Sequence, residues 1–269
     1  MKTLYVTDLD GTLLNCKSEV SDFTVNTVNA LVARGMCFSY ATARSYTTAS
    51  QVTSRLTARM PVIVYNGVFI LEQGTGKRLL SNTFSAAEAS IILSALKEAG
   101  VTPVVYSLID GTEKYSFCLP TENPGIRTLL RVHPNDARER AVTNVEELLT
   151  GDCYCFSCFD SEETLKPLYE RFKEIFQCWY FYADGQQRLQ LRPRGAAKGN
   201  AILSLKQLLN CDRVVCFGDG NNDFQMFDVA DECYAMKNAD EELKKRATAV
   251  IDSNDEDGVA KWLLEHVSL

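Results

Sequence analysis

The sequence predicts an α/β fold: a doubly wound, mainly parallel, Rossmann-like sheet core carrying an inserted α+β domain. Short apolar runs alternate with stretches of helical spacing in the opening part of the chain, and the alternation resumes in its closing part. Polar motifs stand directly after several of those runs, where the carboxyl ends of parallel strands gather ligands. Between the two series lies a segment of different order with no acidic cluster at its strand ends. The boundaries read as 1–83 and 187–269 for the core and 84–186 for the insertion.

The first element organises the rest. Residues 4–14 read Leu-Tyr-Val-Thr-Asp-Leu-Asp-Gly-Thr-Leu-Leu, a β-branched and aromatic run ending in Asp8 and Asp10 just before Gly11. Residues i and i+2 of a strand project to one side, so both acids face one space at its carboxyl end. Carboxylates that close repel each other and resist burial, so a cation, a proton or hydrogen-bond donors must compensate them. That suits metal-assisted chemistry, although an isolated Asp-x-Asp-Gly-Thr fits a capped turn equally well.

Ser21 next caps a helix whose positions Phe23, Val28, Leu31 and Val32 face a core, with Gly35 closing it. A second strand over 36–41 ends in Thr42-Ala43-Arg44, a helical segment covers 50–56, and a third strand over 61–65 ends in Asn66-Gly67. Strand, helix, strand, helix, strand is the signature of a parallel sheet with helices on its faces.

The insertion reads as a helix over 86–99, strands over 102–107 and 114–119, a short helix after Pro124 and another over 145–149. A strand over 153–159 and a helix over 162–176 follow, then strands over 179–183 and 188–191. Leu165, Leu168, Tyr169, Phe172 and Phe176 give the helix over 162–176 one buried face. The core then resumes. Lys198-Gly199 opens a helix over 200–209, and a strand over 213–217 runs into Gly218-Asp-Gly-Asn-Asn-Asp223. A short helix with Met226 and Phe227, a strand over 233–236, a helix from about 240, an apolar 249–251 and a helix over 258–266 complete it.

Composition narrows the function classes. A hydrophobic fraction of 46% and a charged fraction of 23% in 269 residues describe a globular chain with a sizeable core. A net charge of -7 argues against sequence-independent nucleic-acid binding, and there is no run of membrane-spanning length. The strand beginning so near Met1 leaves no room for a secretory leader, so a cytoplasmic location is expected. Among the ten cysteines, Cys155-Phe-Ser-Cys158 has metal or redox spacing, with Cys153 beside it. A zinc site wants four ligands, and His133 and His266 are the only histidines. In a regular strand Cys153 and Cys155 share one face while Cys158 points to the other, so small buried thiols in a reducing compartment are the preferred reading.

Asp8-x-Asp10-Gly-Thr12, Thr42, Lys198 and Gly218-Asp-Gly-x-Asn-Asp223 occur in this order, each after a strand or at a helix start. The set resembles the four motifs of the haloacid dehalogenase superfamily of aspartyl phosphotransferases. With its insertion before the lysine it is similar to the Cof-type branch, whose members are mostly sugar-phosphate phosphatases. The resemblance covers essentially the whole chain and implies that the insertion is a cap closing over the sheet edge and sharing in specificity.

The resemblance implies Asp8 as the nucleophile that forms an aspartyl-phosphate and Asp10 as the acid that protonates the leaving alcohol and then activates water. It implies Mg²⁺ held by the carboxylates of Asp8 and Asp219 and the carbonyl of Asp10, with Asp223 joining directly or through water. Lys198 supplies fixed positive charge, and Thr42 a hydroxyl hydrogen bond to the phosphoryl group. Leu9 and Ala43 backbone N–H groups and the Asn222 side chain are the remaining phosphate donors. Arg44 and Asn66 are weaker candidates for the leaving group. Ala43 stands where the family often has glycine, which is tolerable if that backbone is not at positive φ. The basic Arg192-Pro-Arg194 before the lysine reads as solvated surface rather than substrate contact.

The expected activity is therefore Mg²⁺-dependent hydrolysis of a small phosphorylated metabolite, a sugar phosphate or nucleotide-like phosphate. Two other readings share the motifs: a hexose phosphomutase that returns the phosphoryl group to sugar, and a non-catalytic binder of phosphorylated metabolites.

Overall fold

A computed structural model of the chain describes residues 1–57, 60–132, 134–183 and 185–267. His133, weighed above as a metal ligand, lies outside the described residues. The chain falls into two units, one of Met1–Ser81 with Ala196–Leu269, the other of Asn82–Gly195.

The first segment of the first unit comprises β1 (Thr3–Thr7), α1 (Asp22–Ala33), β2 (Cys37–Tyr40), α2 (Tyr46–Val52), β3 (Val62–Val64), β4 (Phe69–Leu71) and β5 (Arg78–Ser81). The Ser21 hydroxyl accepts the Thr24 backbone N–H and so starts α1 as its sequence predicts. Val25, Val28 and Leu31 turn inward. Phe23 does not: it is 42% exposed, because five positions before Val28 is about 140° round the helix from it. The Ser45 hydroxyl accepts from Thr48, which places α2 over Tyr46–Val52 rather than 50–56. β3 is joined to the parallel sheet through a bridge from Ala41 to Ile63 and then pairs antiparallel with β4, which pairs with β5. This hairpin was not legible in the sequence, since β4 is an unpunctuated apolar run and β5 alternates over four residues.

The second unit comprises α3 (Ala86–Glu98), β6 (Val104–Ile109), β7 (Thr112–Cys118), α4 (Pro124–Val132), β8 (Glu139–Val142), β9 (Asp152–Asp160), α5 (Glu162–Phe172), β10 (Gln177–Ala183) and β11 (Gln186–Arg192). Its sheet has the order β10-β11-β9-β6-β7-β8, antiparallel except between β7 and β8. Ser85 and Glu88 form a reciprocal capping box at the start of α3. Residues of α3 and α5 share one apolar core with Val105, Phe156, Cys158, Leu189 and Leu191. Ile126 of α4 packs instead with Val104, Tyr115, Phe117 and Phe159. Because Val104 and Val105 point to opposite sides of β6, α4 lies on the other face of the sheet from α3 and α5. Val145–Leu149 forms a short helix of 3-10 type where the sequence expects one.

The cysteine reading needs one correction. The register of β6 on β9 slips between Tyr106 and Ser107, so Cys155 pairs with Tyr106 but Cys153 with Ser107. The extra residue turns the strand: Cys153 and Cys158 join the same core, while Cys155 shares the opposite face with Tyr106. All ten cysteines are free, and seven are buried.

The first unit resumes with α6 (Lys198–Leu208), β12 (Arg213–Gly218), α7 (Phe224–Phe227), β13 (Glu232–Met236), α8 (Glu241–Lys244), β14 (Ala249–Ile251) and α9 (Gly258–His266). Its main sheet runs β14-β13-β12-β1-β2, all parallel. The chain leaves β1 toward β2 on one side and later fills the other side with β12 onward. The carboxyl ends of β1 and β12 therefore flank the point where strand order reverses, the place such sheets use for ligands. None of the described helices is long and apolar enough to cross a membrane.

Candidate active site

The tip of β1 delivers Asp8 to the centre of this edge, its backbone N–H donating to the Phe217 carbonyl of β12 at 2.9 Å. The chain then turns through Leu9–Leu13, with Asp10 extended and Gly11 at φ 75°. Gly11 is required there: a Cβ would lie 2.2 Å from Oδ2 of Asp219, besides the strain of the left-handed backbone. Thr12 Oγ1 donates to Asp219 Oδ1 at 2.8 Å, tying the two strand tips together.

Lys198 is the hub. Its ammonium is fully buried at the start of α6 and touches Asp8 Oδ1 at 2.8 Å and Asp223 Oδ1 at 2.7 Å. A cation at a helix N-terminus opposes the helix dipole, and no side chain caps this helix, so these two carboxylates hold the charge in place. Asp223 in turn accepts the backbone N–H groups of Asp219 at 2.9 Å and Gly220 at 3.1 Å through Oδ2. Both its oxygens are thus engaged within the protein. Gly218 allows this close turn, since a Cβ there would lie 2.7 Å from Asp223 Oδ2.

Carboxylate oxygens of Asp8, Asp219 and Asp223 lie within 4.8 Å of one another, an all-oxygen donor set of the kind hard divalent cations take. Burial pushes the Asp8 pKa up to about 7 against the pull of Lys198, and that of Asp219 up to about 6 against the Thr12 hydrogen bond. Lys198 stays charged, its pKa lifted to about 12 by Asp223 and Asp8 against the cost of its own burial. Three clustered acids, of which Asp8 and Asp223 are buried and paired with one ammonium, leave an excess of negative charge that a divalent cation would neutralise.

Asp10 stands apart from this cluster. Its carboxylate is gripped by Arg44, Nε to Oδ2 at 2.8 Å and Nη2 to Oδ1 at 2.6 Å. Thr42 is fully buried after β2, and its hydroxyl accepts the Arg44 backbone N–H at 3.2 Å. Ala43 is exposed and is not among the residues at positive φ, so its methyl group meets no backbone strain. Asn66 sits at φ 55° and donates its backbone N–H to the Thr42 carbonyl at 2.8 Å. The Asn222 amide reaches the Asn66 side-chain oxygen at 3.5 Å, joining two of the predicted phosphate and leaving-group contacts. The backbone N–H of Leu9 turns toward Asp8 and helps lower its pKa.

Sequence reasoning missed Asn238. It follows β13 with no motif to mark it, yet its amide donates to the Gly11 carbonyl at 2.8 Å and its oxygen accepts the Asn254 N–H at 3.0 Å. It braces the turn that carries Asp10.

Comparisons with known proteins show the family and the fold. A family described as haloacid dehalogenase-like hydrolase matches residues 5–263. The chain is 29% identical to the 5-amino-6-(5-phospho-D-ribitylamino)uracil phosphatase YwtE of Bacillus subtilis, over 95% of each chain. It is 27% identical to the phosphatase YwpJ of the same organism, over 97% of this chain and 98% of that one. Among solved structures, a Thermotoga maritima protein superposes with a TM-score of 0.78 at 27% identity, covering 100% of this chain and 98% of its own. A haloacid dehalogenase-like hydrolase from B. subtilis superposes with a TM-score of 0.75 at 25% identity, covering 100% of both.

Proposed function

The chain belongs to the haloacid dehalogenase-like hydrolases and is a phosphatase of that family; we propose that it is a Mg²⁺-dependent phosphatase of small phosphorylated metabolites, sugar phosphates above all, working through an aspartyl-phosphate on Asp8. The observation that carries this reading is the gathering of Asp8, Asp219 and Asp223 within 4.8 Å of one another beside the tips of β1 and β12, with Lys198 bridging Asp8 and Asp223.

In this reading Asp8 attacks phosphorus with a carboxylate oxygen, and the ester P–O bond breaks as Asp10 gives its proton to the leaving alcohol. Asp10, now a carboxylate, takes a proton from water, and the oxygen so activated attacks phosphorus. The Asp8–phosphorus bond breaks and inorganic phosphate leaves. Lys198 offsets charge on the transferring group, and Thr42, the backbone N–H groups of Leu9 and Ala43, and Asn222 donate to its oxygens. Mg²⁺, held by Asp8, Asp219 and the Asp10 carbonyl with Asp223 behind them, supplies charge neutralisation between two anions that would otherwise repel. Residues 84–186 act as the cap in this reading, with Arg44 and Asn66 facing the leaving group from the core.

One relative's substrate bears a phosphate on a ribityl chain, so a phosphorylated polyol belongs in the substrate class tested here. Phosphate release from a panel of sugar, polyol and nucleotide phosphates, with Mg²⁺ and with chelator, tests the reading. Release that depends on Mg²⁺ and is lost in Asp8→Asn is expected. Release that survives in Asp8→Asn would exclude the covalent route. The same panel separates hydrolysis from mutase chemistry, since a mutase yields isomerised hexose phosphate in place of free phosphate.

A further inference from the structure

The segment that carries Asp10 is clasped by side chains from the far end of the sequence. Asn238 gives Nδ2 to the Gly11 carbonyl at 2.8 Å, and its Oδ1 accepts the Asn254 backbone N–H at 3.0 Å. Asn254 gives its own Nδ2 to the Leu14 carbonyl at 2.8 Å, and Asp255 Oδ1 accepts the Cys16 N–H at 2.7 Å. Both asparagines stand outside the motifs, one in the turn after β13 and the other between β14 and α9.

The position of the first contact gives it a role in the chemistry. Gly11 follows Asp10 directly at φ 75°, and a Cβ on it would lie 2.2 Å from Asp219 Oδ2. Thr12 Oγ1 ties the next residue to Asp219 Oδ1 at 2.8 Å. Glycine leaves the adjoining peptide planes free to rotate, so the plane between Gly11 and Thr12 needs a hold from outside the turn. Asn238 supplies one. Because its oxygen is taken by the Asn254 N–H, the amide can face only one way, with its donor end toward Gly11. Arg44 acts on the Asp10 side chain, whereas Asn238 acts on the backbone just after it. Asn238 is exposed, so its hydrogen bonds add little to the stability of the fold.

We propose that Asn238 is a positioning residue of the phosphatase reaction, holding the turn after Asp10 so that the Asp10 carboxyl is set for proton transfer to the leaving oxygen and the Asp10 carbonyl for the cation. The inference rests on the phosphatase reading given above.

Asn238→Ala removes both hydrogen bonds, and Asn238→Asp keeps an acceptor for Asn254 while losing the donor to Gly11. Each is compared with the parent on the sugar or polyol phosphate that the parent hydrolyses best and on para-nitrophenyl phosphate. Nitrophenolate leaves without help from an acid, whereas an alkoxide does not. The ratio kcat/KM covers the steps up to departure of the alcohol. In both variants it should fall about thirtyfold or more on the alkyl ester and about threefold or less on the aryl ester. Melting should move by no more than about 2 °C. Calorimetric titration of the metal-free proteins with Mg²⁺ needs no turnover, and there the variants should bind about tenfold more weakly. Equal losses on the two esters mark a merely structural role and overturn the proposal, as do parent values in both variants, and the phosphatase reading survives either result. A parent that releases no phosphate from any ester fails that reading instead, and Mg²⁺ affinity equal in parent and variants then overturns the proposal as well.

Discussion

Arg44 holds the Asp10 carboxylate in a two-pronged grip, Nε to Oδ2 at 2.8 Å and Nη2 to Oδ1 at 2.6 Å, across 34 residues of sequence. The pair is partly open to solvent, with side-chain exposures of 23% and 51%, so it contributes little to stability. In the proposed mechanism its effect is to aim the group that handles the proton. Arg44→Lys, which replaces a planar fork with a point charge, should lower kcat about tenfold to a hundredfold with a smaller change in KM. Thermal melting should move by no more than about 2 °C. Steady-state kinetics with a chromogenic phosphate ester, alongside a melt of the same variant, check both halves.

Asp8→Asn should separate chemistry from folding. The amide keeps the shape of the side chain but cannot attack phosphorus, so kcat should fall by about 10⁴ or more. In metal-free buffer the variant should melt no lower than the parent, because one of the buried carboxylates that repel each other is gone while Lys198 keeps Asp223. A melt well below the parent would assign Asp8 a structural role instead.

Without a cation, Asp8 and Asp219 titrate in the fold at about 7 and about 6, above the ordinary carboxylate value of 3.8. An acid whose folded pKa is raised binds more protons in the folded state than in the unfolded one between those values. Stability from these two groups is therefore present below about pH 4 and lost as pH rises through 6 and 7. A cation bound to the carboxylates reverses the loss. Mg²⁺ should accordingly raise Tm more at pH 8 than at pH 5, measured against chelator at each pH. An equal rise at both values would contradict the link between the ion and these acids.

Gly11→Ala should damage both fold and activity. The left-handed backbone and the 2.2 Å approach to Asp219 Oδ2 leave no room for a methyl group. A loss of about 2 kcal/mol or more in denaturant unfolding is expected, together with a fall in kcat as Asp219 is displaced. An unfolding midpoint equal to the parent's would show that the turn relaxes freely.

The strand-end motifs were legible because each is a polar cluster set against an apolar run, a contrast that survives without coordinates. Asp8, Thr42, Asn66, Lys198, Asp219 and Asn222 all occur in one unit around the same strand tips. What was not legible depended on partners far away in sequence. The β4 and β5 hairpin declares itself only through pairing with β3. Cys155 changes face because of a register slip against β6 that its own strand does not encode. Arg192 reads as a surface residue until Trp179 is found under it. Asn238 and the grip of Arg44 on Asp10 likewise join positions with no shared motif.

The middle position of β1, flanked by β2 near in sequence and β12 far from it, bears on biosynthesis. On the ribosome, β1 must wait until the chain has been made as far as β12 before its second neighbour exists, whereas Asn82–Gly195 emerges as one uninterrupted stretch. Asp8 is thus supported on both sides only once β12 has been made, and any premature stop before Arg213 deprives it of that strand.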